Sequence, residues 1–130
     1  MVLGFKSKKK ILVVDDNADT LEILRSLLEK EGYKVLTAQE GEEGVELAQQ
    51  NVPDLILMDI NMPGLRGDMA ALRIRGEPAT RHIPIIILTG VADVQEKVLA
   101  SQAGVTDYIL KPYNPEQLLA QIRGWMATQA

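Results

Sequence analysis

The residues able to do chemistry stand at the ends of apolar runs. Asp15 and Asp16 close the run Ile11-Leu12-Val13-Val14, and Asp59 closes Leu55-Ile56-Leu57-Met58. Thr89 follows Ile85-Ile86-Ile87-Leu88, and Lys111-Pro112 follows Tyr108-Ile109-Leu110. Three carboxylates, a hydroxyl and an ammonium are the groups that hold a hard divalent cation together with a phosphoryl group. Two carboxylates about 4 Å apart repel by roughly 4 kcal/mol at an effective dielectric of 20, so a fold that gathers three requires a compensating cation. Mg²⁺ suits such a set, because it takes octahedral oxygen ligands, keeps several waters and bridges carboxylates to phosphate. A carboxylate at Asp59, between a buried strand and the Pro63-Gly64 turn, can attack phosphorus and carry an acyl phosphate. Thr89 can donate to a phosphoryl oxygen, and Lys111 offers a point charge on a flexible stem. Taken singly, each has a plainer role as a solvated turn, a helix N-cap or a surface lysine. Their shared position at strand ends favours the joint reading.

That position follows from the elements. Continuous aliphatic runs of this kind read as strands buried on both faces of a parallel sheet. In open parallel sheets, ligands bind in the crevice beyond the carboxyl ends of the strands. After the first strand, Asn17 is an N-cap for a helix carrying Leu21, Leu24 and Leu28, and Gly32 stops it. A short mixed segment, Lys34 to Thr37, reads as an edge strand, and a helix near Glu42–Gln50 ends before Pro53. Beyond the third strand, Pro63-Gly64 turns into a helix carrying Leu65, Met69 and Leu72. Gly76 and Pro78 open a polar loop that leads to Pro84 and the fourth strand. Val94 and Val98 mark a fourth helix, closed by Gly104. Asn114-Pro115 is an N-cap with proline at the first helical position, and Leu118, Ile122 and Trp125 with Met126 form the apolar face of the last helix. Five strands and five helices in alternation predict an α/β, doubly wound domain.

Composition narrows the function. The chain has 130 residues, which predicts one domain with a sizeable core. It has no cysteine, so disulfides, thiolate metal sites and cysteine nucleophiles are excluded. The net charge of −4 argues against a nucleic-acid surface. Lys6, Lys8, Lys9 and Lys10 crowd the start, which leaves the remainder more acidic still. Residues 1–8 read as a basic solvated tail and 9–127 as the domain, with no room for an output domain. No apolar run approaches membrane-spanning length and no signal-peptide core follows the lysines, so a cytoplasmic location with no membrane partner is expected.

The stretches ILVVDD, PDLILMDINMPGLRG, PIIILTG and DYILKP, in this order and spacing, resemble the receiver domain of two-component response regulators, the chemotaxis-regulator-like family. The resemblance covers about residues 9 to 127. It implies a flavodoxin-like (βα)5 three-layer sandwich with parallel sheet order 2-1-3-4-5, for which a member of this family is a standing example. It implies Asp59 as the phosphoacceptor and Asp15 and Asp16 as the acidic pair, with Asp16 the direct Mg²⁺ ligand (Mn²⁺ as a substitute) and Asn61 a ligand through its backbone carbonyl. Thr89 would be the switch hydroxyl, Lys111 the phosphate-binding lysine and Tyr108 the aromatic switch, and the Lys111–Pro112 bond would be cis. The implied partners are a histidine kinase or histidine phosphotransfer protein and a downstream effector, which would dock on the face of the fourth helix, fifth strand and last helix. No direct nucleic-acid partner is implied, and the chain would be a monomer or weak homodimer. Two positions depart from the family pattern. Gly90 stands where alanine is usual, which loosens the loop, and Tyr113 replaces the commoner phenylalanine. His82 lies in the polar loop and reads as a surface residue.

Three rivals fit less well. A haloacid-dehalogenase-type phosphatase would place a second acid where Asn61 stands, and an amide cannot protonate a leaving group. A flavodoxin-like nucleotide binder would put Asp15-Asp16 in the phosphate loop, where they repel an anion. A scaffold that had lost its chemistry would not keep every group. The expected function is therefore a signalling phosphoacceptor, not an enzyme with turnover, that catalyses only its own phosphorylation and dephosphorylation.

Overall fold

A computed structural model of the chain describes residues 8–90 and 101–128. Five strands, β1 (Lys10–Val14), β2 (Lys34–Ala38), β3 (Leu55–Asp59), β4 (Ile85–Thr89) and β5 (Asp107–Leu110), form one parallel sheet in the order β2-β1-β3-β4-β5. Four helices are described: α1 (Ala18–Lys30), α2 (Gly41–Asn51), α3 (Gly67–Arg75) and α4 (Pro115–Ala127). The helix expected around Val94 and Val98 lies outside the described residues.

The apolar runs are continuous because successive residues serve two different layers. Leu12, Val14, Ile56, Met58, Ile85 and Ile87 pack with Val45 and Ala48 of α2 and Ala70, Ala71 and Ile74 of α3. The alternate residues Ile11, Val13, Leu55, Leu57, Ile86, Leu88 and Ile109 pack with Leu21, Leu24 and Leu28 of α1 and Leu118, Leu119 and Ile122 of α4. Strand side chains alternate faces with period 2, so both faces are covered and neither can be polar. The result is a three-layer sandwich, and β2 and β5 are its edges.

Local signals set the helix ends. The Thr20 N–H donates to Asn17 Oδ1 at 3.0 Å and the Gln117 N–H to Asn114 Oδ1 at 2.7 Å, which caps α1 and α4. Gly32 sits at φ 92°, the left-handed conformation that ends α1. Val52 ends α2 at φ 45°, a conformation a β-branched residue rarely adopts. Trp125 and Met126 pack against the α1–α4 layer as expected, and the Trp125 indole N–H also donates to Asp107 Oδ2 at 3.0 Å.

The third helix departs from its expected pattern. Leu65 precedes α3, and Met69 and Leu72 are each 48% exposed. The small residues Ala70 and Ala71, with Ile74, form the buried face instead. That face packs against the sheet layer of Leu12, Ile56 and Ile85, and the loop before α3 lies against α2, where a Cβ on Gly41 would overlap the backbone of Leu65.

Candidate functional site

Strand parity gathers the site. Asp15, Asp59 and Lys111 each continue the face of their strand that packs against α1 and α4, whereas Thr89 and Tyr108 continue the opposite face. Val14 pairs with Met58 in register, so Asp15 and Asp59 leave neighbouring strands at the same level. Neighbouring strands lie about 4.8 Å apart, which forces the two carboxylates together. Single carboxylate oxygens of Asp15, Asp16 and Asp59 all lie within 4.8 Å of one another. Lys111, two strands away from Asp59 in the sheet, reaches back with its Nζ 3.8 Å from both Asp15 Oδ2 and Asp59 Oδ2.

Asp15 is 1% exposed and Asp59 9%, while Asp16 is exposed. Asp15 Oδ1 accepts the Asn17 N–H at 2.9 Å, and Asp59 Oδ1 accepts the Asn61 N–H at 3.3 Å. Asp15 Oδ2 is buried with no hydrogen-bond partner. Lys111 is too distant to supply one, since a hydrogen bond of this kind needs a separation nearer 2.8 Å. An unpartnered carboxylate oxygen facing two other acids is what a cation would satisfy, and an all-oxygen donor set fits Mg²⁺.

Burial dominates the electrostatics. It raises the Asp15 carboxyl above its ordinary range, opposed by the Asn17 N–H and Lys111 and reinforced by the charges of Asp59 and Asp16. Burial also raises Asp59, opposed by Lys111 and the Asn61 N–H, with Asp16 adding repulsion. The Tyr113 hydroxyl is raised by burial and by the Asp15 charge.

Thr89, buried at the end of β4, receives the Lys111 N–H on its carbonyl at 2.7 Å. The Lys111–Pro112 bond is cis. Tyr108 pairs with Ile87 and is 37% exposed at the sheet edge, outside the cluster. Asn61 is exposed, with its N–H held by Asp59. His82 is a surface residue.

One contributor was not read from the sequence. Gly67, at the start of α3, lies so close behind Asp59 that a Cβ there would overlap the Asp59 carbonyl oxygen, and its N–H donates to the Ile60 carbonyl at 3.0 Å. A glycine a short loop after β3 was the available signal.

The profile of the response regulator receiver domain matches residues 11–123. The chain belongs to the response regulator receiver domain family. This receiver domain is 42% identical over 118 residues to Protein PilH of Pseudomonas aeruginosa, covering 91% of the chain and 98% of PilH. It is 39% identical over 121 residues, 93% of its length, to the probable transcriptional regulator ycf27 of Guillardia theta, of which it spans only 46%. Its fold superposes with a TM-score of 0.87 and 32% identity on the receiver domain of a sensor histidine kinase from P. aeruginosa, covering 93% of this chain and 99% of that one. That crystal structure holds a magnesium ion coordinated in its active-site cleft. Among the described residues of this receiver domain, no helix is long and apolar enough to cross a membrane.

Proposed function

We propose that this receiver domain accepts a phosphoryl group on Asp59 from the phosphohistidine of a histidine kinase or histidine phosphotransfer protein, in a Mg²⁺-dependent reaction. The observation that carries this reading is Lys111 Nζ standing 3.8 Å from Asp59 Oδ2 beside the unpartnered Asp15 Oδ2. Asp15, Asp16 and Asp59, with the Asn61 backbone carbonyl, would hold the metal. When bound, Mg²⁺ (or Mn²⁺) would neutralise charge on the acids and on the phosphoryl oxygens. An Asp59 carboxylate oxygen attacks phosphorus, the P–N bond to the donor imidazole breaks, and that nitrogen takes a proton from solvent. Lys111 neutralises charge on the phosphoryl oxygens, and positioning with charge neutralisation supplies most of the catalysis. Hydrolysis returns Asp59 when water attacks the same phosphorus. The chain is thus a switching substrate of its own chemistry, without turnover of an external substrate.

The Thr89 hydroxyl draws toward the phosphoryl group, and Tyr108, on the same face of the sheet, changes its exposure in response. That change alters the surface around β5 and α4 on which an effector docks. The test is incubation with acetyl phosphate and Mg²⁺, read by intact mass. One added phosphoryl group, labile to hydroxylamine and absent from Asp59→Asn, is expected. Undiminished modification of Asp59→Asn overturns the assignment. With beryllofluoride, NMR shifts are expected to reach Tyr108 in wild type and to stay in the pocket in Thr89→Ala.

A further inference from the structure

The first turn of α2 touches both banks of the crevice. Strand β2 ends level with β1, Ala38 pairing with Val14 in register, and the Asp15 N–H donates to the Ala38 carbonyl at 3.0 Å. The chain that leaves Ala38 therefore starts α2 at the carboxyl ends of the strands, on the side where the acids stand. The buried face of α2 is Gly41, Gly44, Val45 and Ala48. Its two glycines are three residues apart, which puts them on one side of the helix.

Each glycine meets a different bank. A Cβ on Gly44 would lie 2.8 Å from Cγ2 of Val14, the residue before Asp15. A Cβ on Gly41 would overlap the Leu65 carbonyl oxygen and lie 2.9 Å from the Leu65 Cβ. Leu65 belongs to the β3–α3 loop, which also carries Asn61. That loop is pinned at both ends, by the Ile60 N–H on the Leu88 carbonyl at 3.3 Å and the Gly67 N–H on the Ile60 carbonyl at 3.0 Å. Ile60 and Met62 are buried on either side of Asn61. Packed segments of this kind transmit a displacement instead of absorbing it.

The cation site draws on both banks, Asp15 and Asp16 from β1 and Asp59 with the Asn61 carbonyl from β3 and its loop. The buried Asp15 Oδ2, which has no hydrogen-bond partner, is the observation that points to a cation there. Mg²⁺ takes bonds of about 2.0–2.1 Å in a near-ideal octahedron, whereas Ca²⁺ takes about 2.3–2.6 Å in a flexible geometry. Discrimination between them depends on the size and stiffness of the cavity. Resting on the Mg²⁺-dependent reading above, we propose that Gly41 and Gly44 are positioning residues that make this site selective for Mg²⁺ over Ca²⁺. Without side chains there, α2 seats against Val14 and Leu65 together and fixes the separation of the two banks. A methyl at either position forces the helix off one bank. The ligands then lose their set spacing, which costs the ion with the stricter geometry more.

Isothermal titration calorimetry of the full chain with Mg²⁺ and, separately, Ca²⁺ tests this, with urea unfolding giving the folded fraction. Wild type is expected to bind Mg²⁺ more tightly than Ca²⁺. Gly41→Ala and Gly44→Ala are each expected to lower Mg²⁺ affinity by roughly tenfold, the scale of losing a group that supports metal ligands, and Ca²⁺ affinity by less. Destabilisation alone removes binding sites for both ions equally and leaves the ratio of affinities unchanged. Gly44→Ala meets only a side chain, and alanine is the better helix former by about 1 kcal/mol. It therefore supplies a folded variant where Gly41→Ala does not fold. Arg75→Met, which removes a donor to the Ile83 carbonyl at 2.6 Å near the amino ends of the strands, is a destabilised control expected to keep the wild-type ratio. A wild-type ratio in either folded glycine variant, or an equal drop in Arg75→Met, overturns the proposal. Equal affinity of wild type for the two ions overturns it and leaves the cation site standing, whereas binding of neither ion overturns the cation site itself.

Discussion

Lys111 Nζ lies 3.8 Å from Asp59 Oδ2, across the strand β4 that separates their own strands in the sheet. At that distance the ammonium lowers the repulsion among the acids without occupying their lone pairs. The carboxylate oxygens stay available to a metal and to phosphorus, and the lysine's flexible stem lets it follow the charge as it moves onto a phosphoryl group.

Lys111→Met should therefore separate two steps that depend on the same acids. Mg²⁺ binding should be retained or strengthened, because a competing cation is gone. The rate of phosphorylation by acetyl phosphate should fall by roughly 10²-fold, the scale of losing one preorganised charge-stabilising donor. Isothermal titration calorimetry with Mg²⁺, beside single-turnover phosphorylation, measures both. Loss of Mg²⁺ binding with an unchanged rate would assign Lys111 to the metal site.

The raised Asp15 carboxyl gives a pH dependence of known sign. Its folded value lies above the unfolded 3.8 through burial, with repulsion from Asp59 adding to it. A carboxyl raised on folding favours the folded state when protonated, so this contribution is complete below pH 3.8 and is lost as pH rises through the folded value. Above that value the ionised, metal-free pocket is destabilising. With chelator present, Asp15→Asn should be more stable than wild type at neutral pH, and the gap should close as the pH falls toward 3.8. Urea unfolding across that range checks it, and a gap that widens on acidification contradicts the cause given. Saturating Mg²⁺ should reverse the order at neutral pH, since a ligand bound only by the native state stabilises it.

Two glycines near the pocket should respond in opposite ways. A Cβ on Gly67 would overlap the backbone of Asp59, so Gly67→Ala should cost about 2–3 kcal/mol, as overpacking does. It should also slow phosphorylation by shifting the acceptor. Among the described residues a Cβ on Gly90 meets nothing within 4 Å, and φ there is not positive. Gly90→Ala should stabilise by about 0.4–1 kcal/mol, through the lower entropy of the unfolded chain. Thermal melts of the two variants distinguish the cases.

The sheet was legible because its central strands β1, β3 and β4 carry buried side chains on both faces, which leaves an unbroken aliphatic run that ends at the crevice. Order and parity then bring Asp15, Asp59 and Lys111 together without further information. The caps at Asn17 and Asn114 and the stop at Gly32 were legible for a local reason, since each acts within its own turn. The third helix was less legible. Its apolar residues Met69 and Leu72 face outward, and its alanines with Ile74 face the sheet layer. Which face is covered is a tertiary fact with no signature in periodicity. Gly67 was missed for the same reason, since its close contact is with the Asp59 backbone and not with anything in its own turn.

Arg75 was also hidden, because its role depends on three segments converging. Its Nε donates to the Gly104 carbonyl at 2.8 Å, its Nη1 to the carbonyls of Arg81 at 3.0 Å and Ile83 at 2.6 Å, and its Nη2 to Thr106 Oγ1 at 3.2 Å. Burial lowers its pKa, and no carboxylate pairs with it among the described residues. The planar fork therefore ties the end of α3 to the loops that feed β4 and β5. Thr106 Oγ1 in turn accepts the Ile85 N–H at 2.9 Å, so the clasp reaches the first residue of β4. Removing the guanidinium leaves two partly buried acceptors, the Ile83 carbonyl and Thr106 Oγ1, unmatched, at about 1–3 kcal/mol for a group that water does not reach. Arg75→Met should cost about 2–3 kcal/mol in urea unfolding, and Arg75→Lys should recover only part, because an ammonium cannot reproduce a fork that spans both loops. The acid cluster lies at the other end of the strands, so Mg²⁺ binding should persist in whatever fraction remains folded. A loss within about 0.5 kcal/mol, the range of ordinary surface substitutions, would mean that the two loops are held by their own backbone turns and that the arginine adds nothing to them.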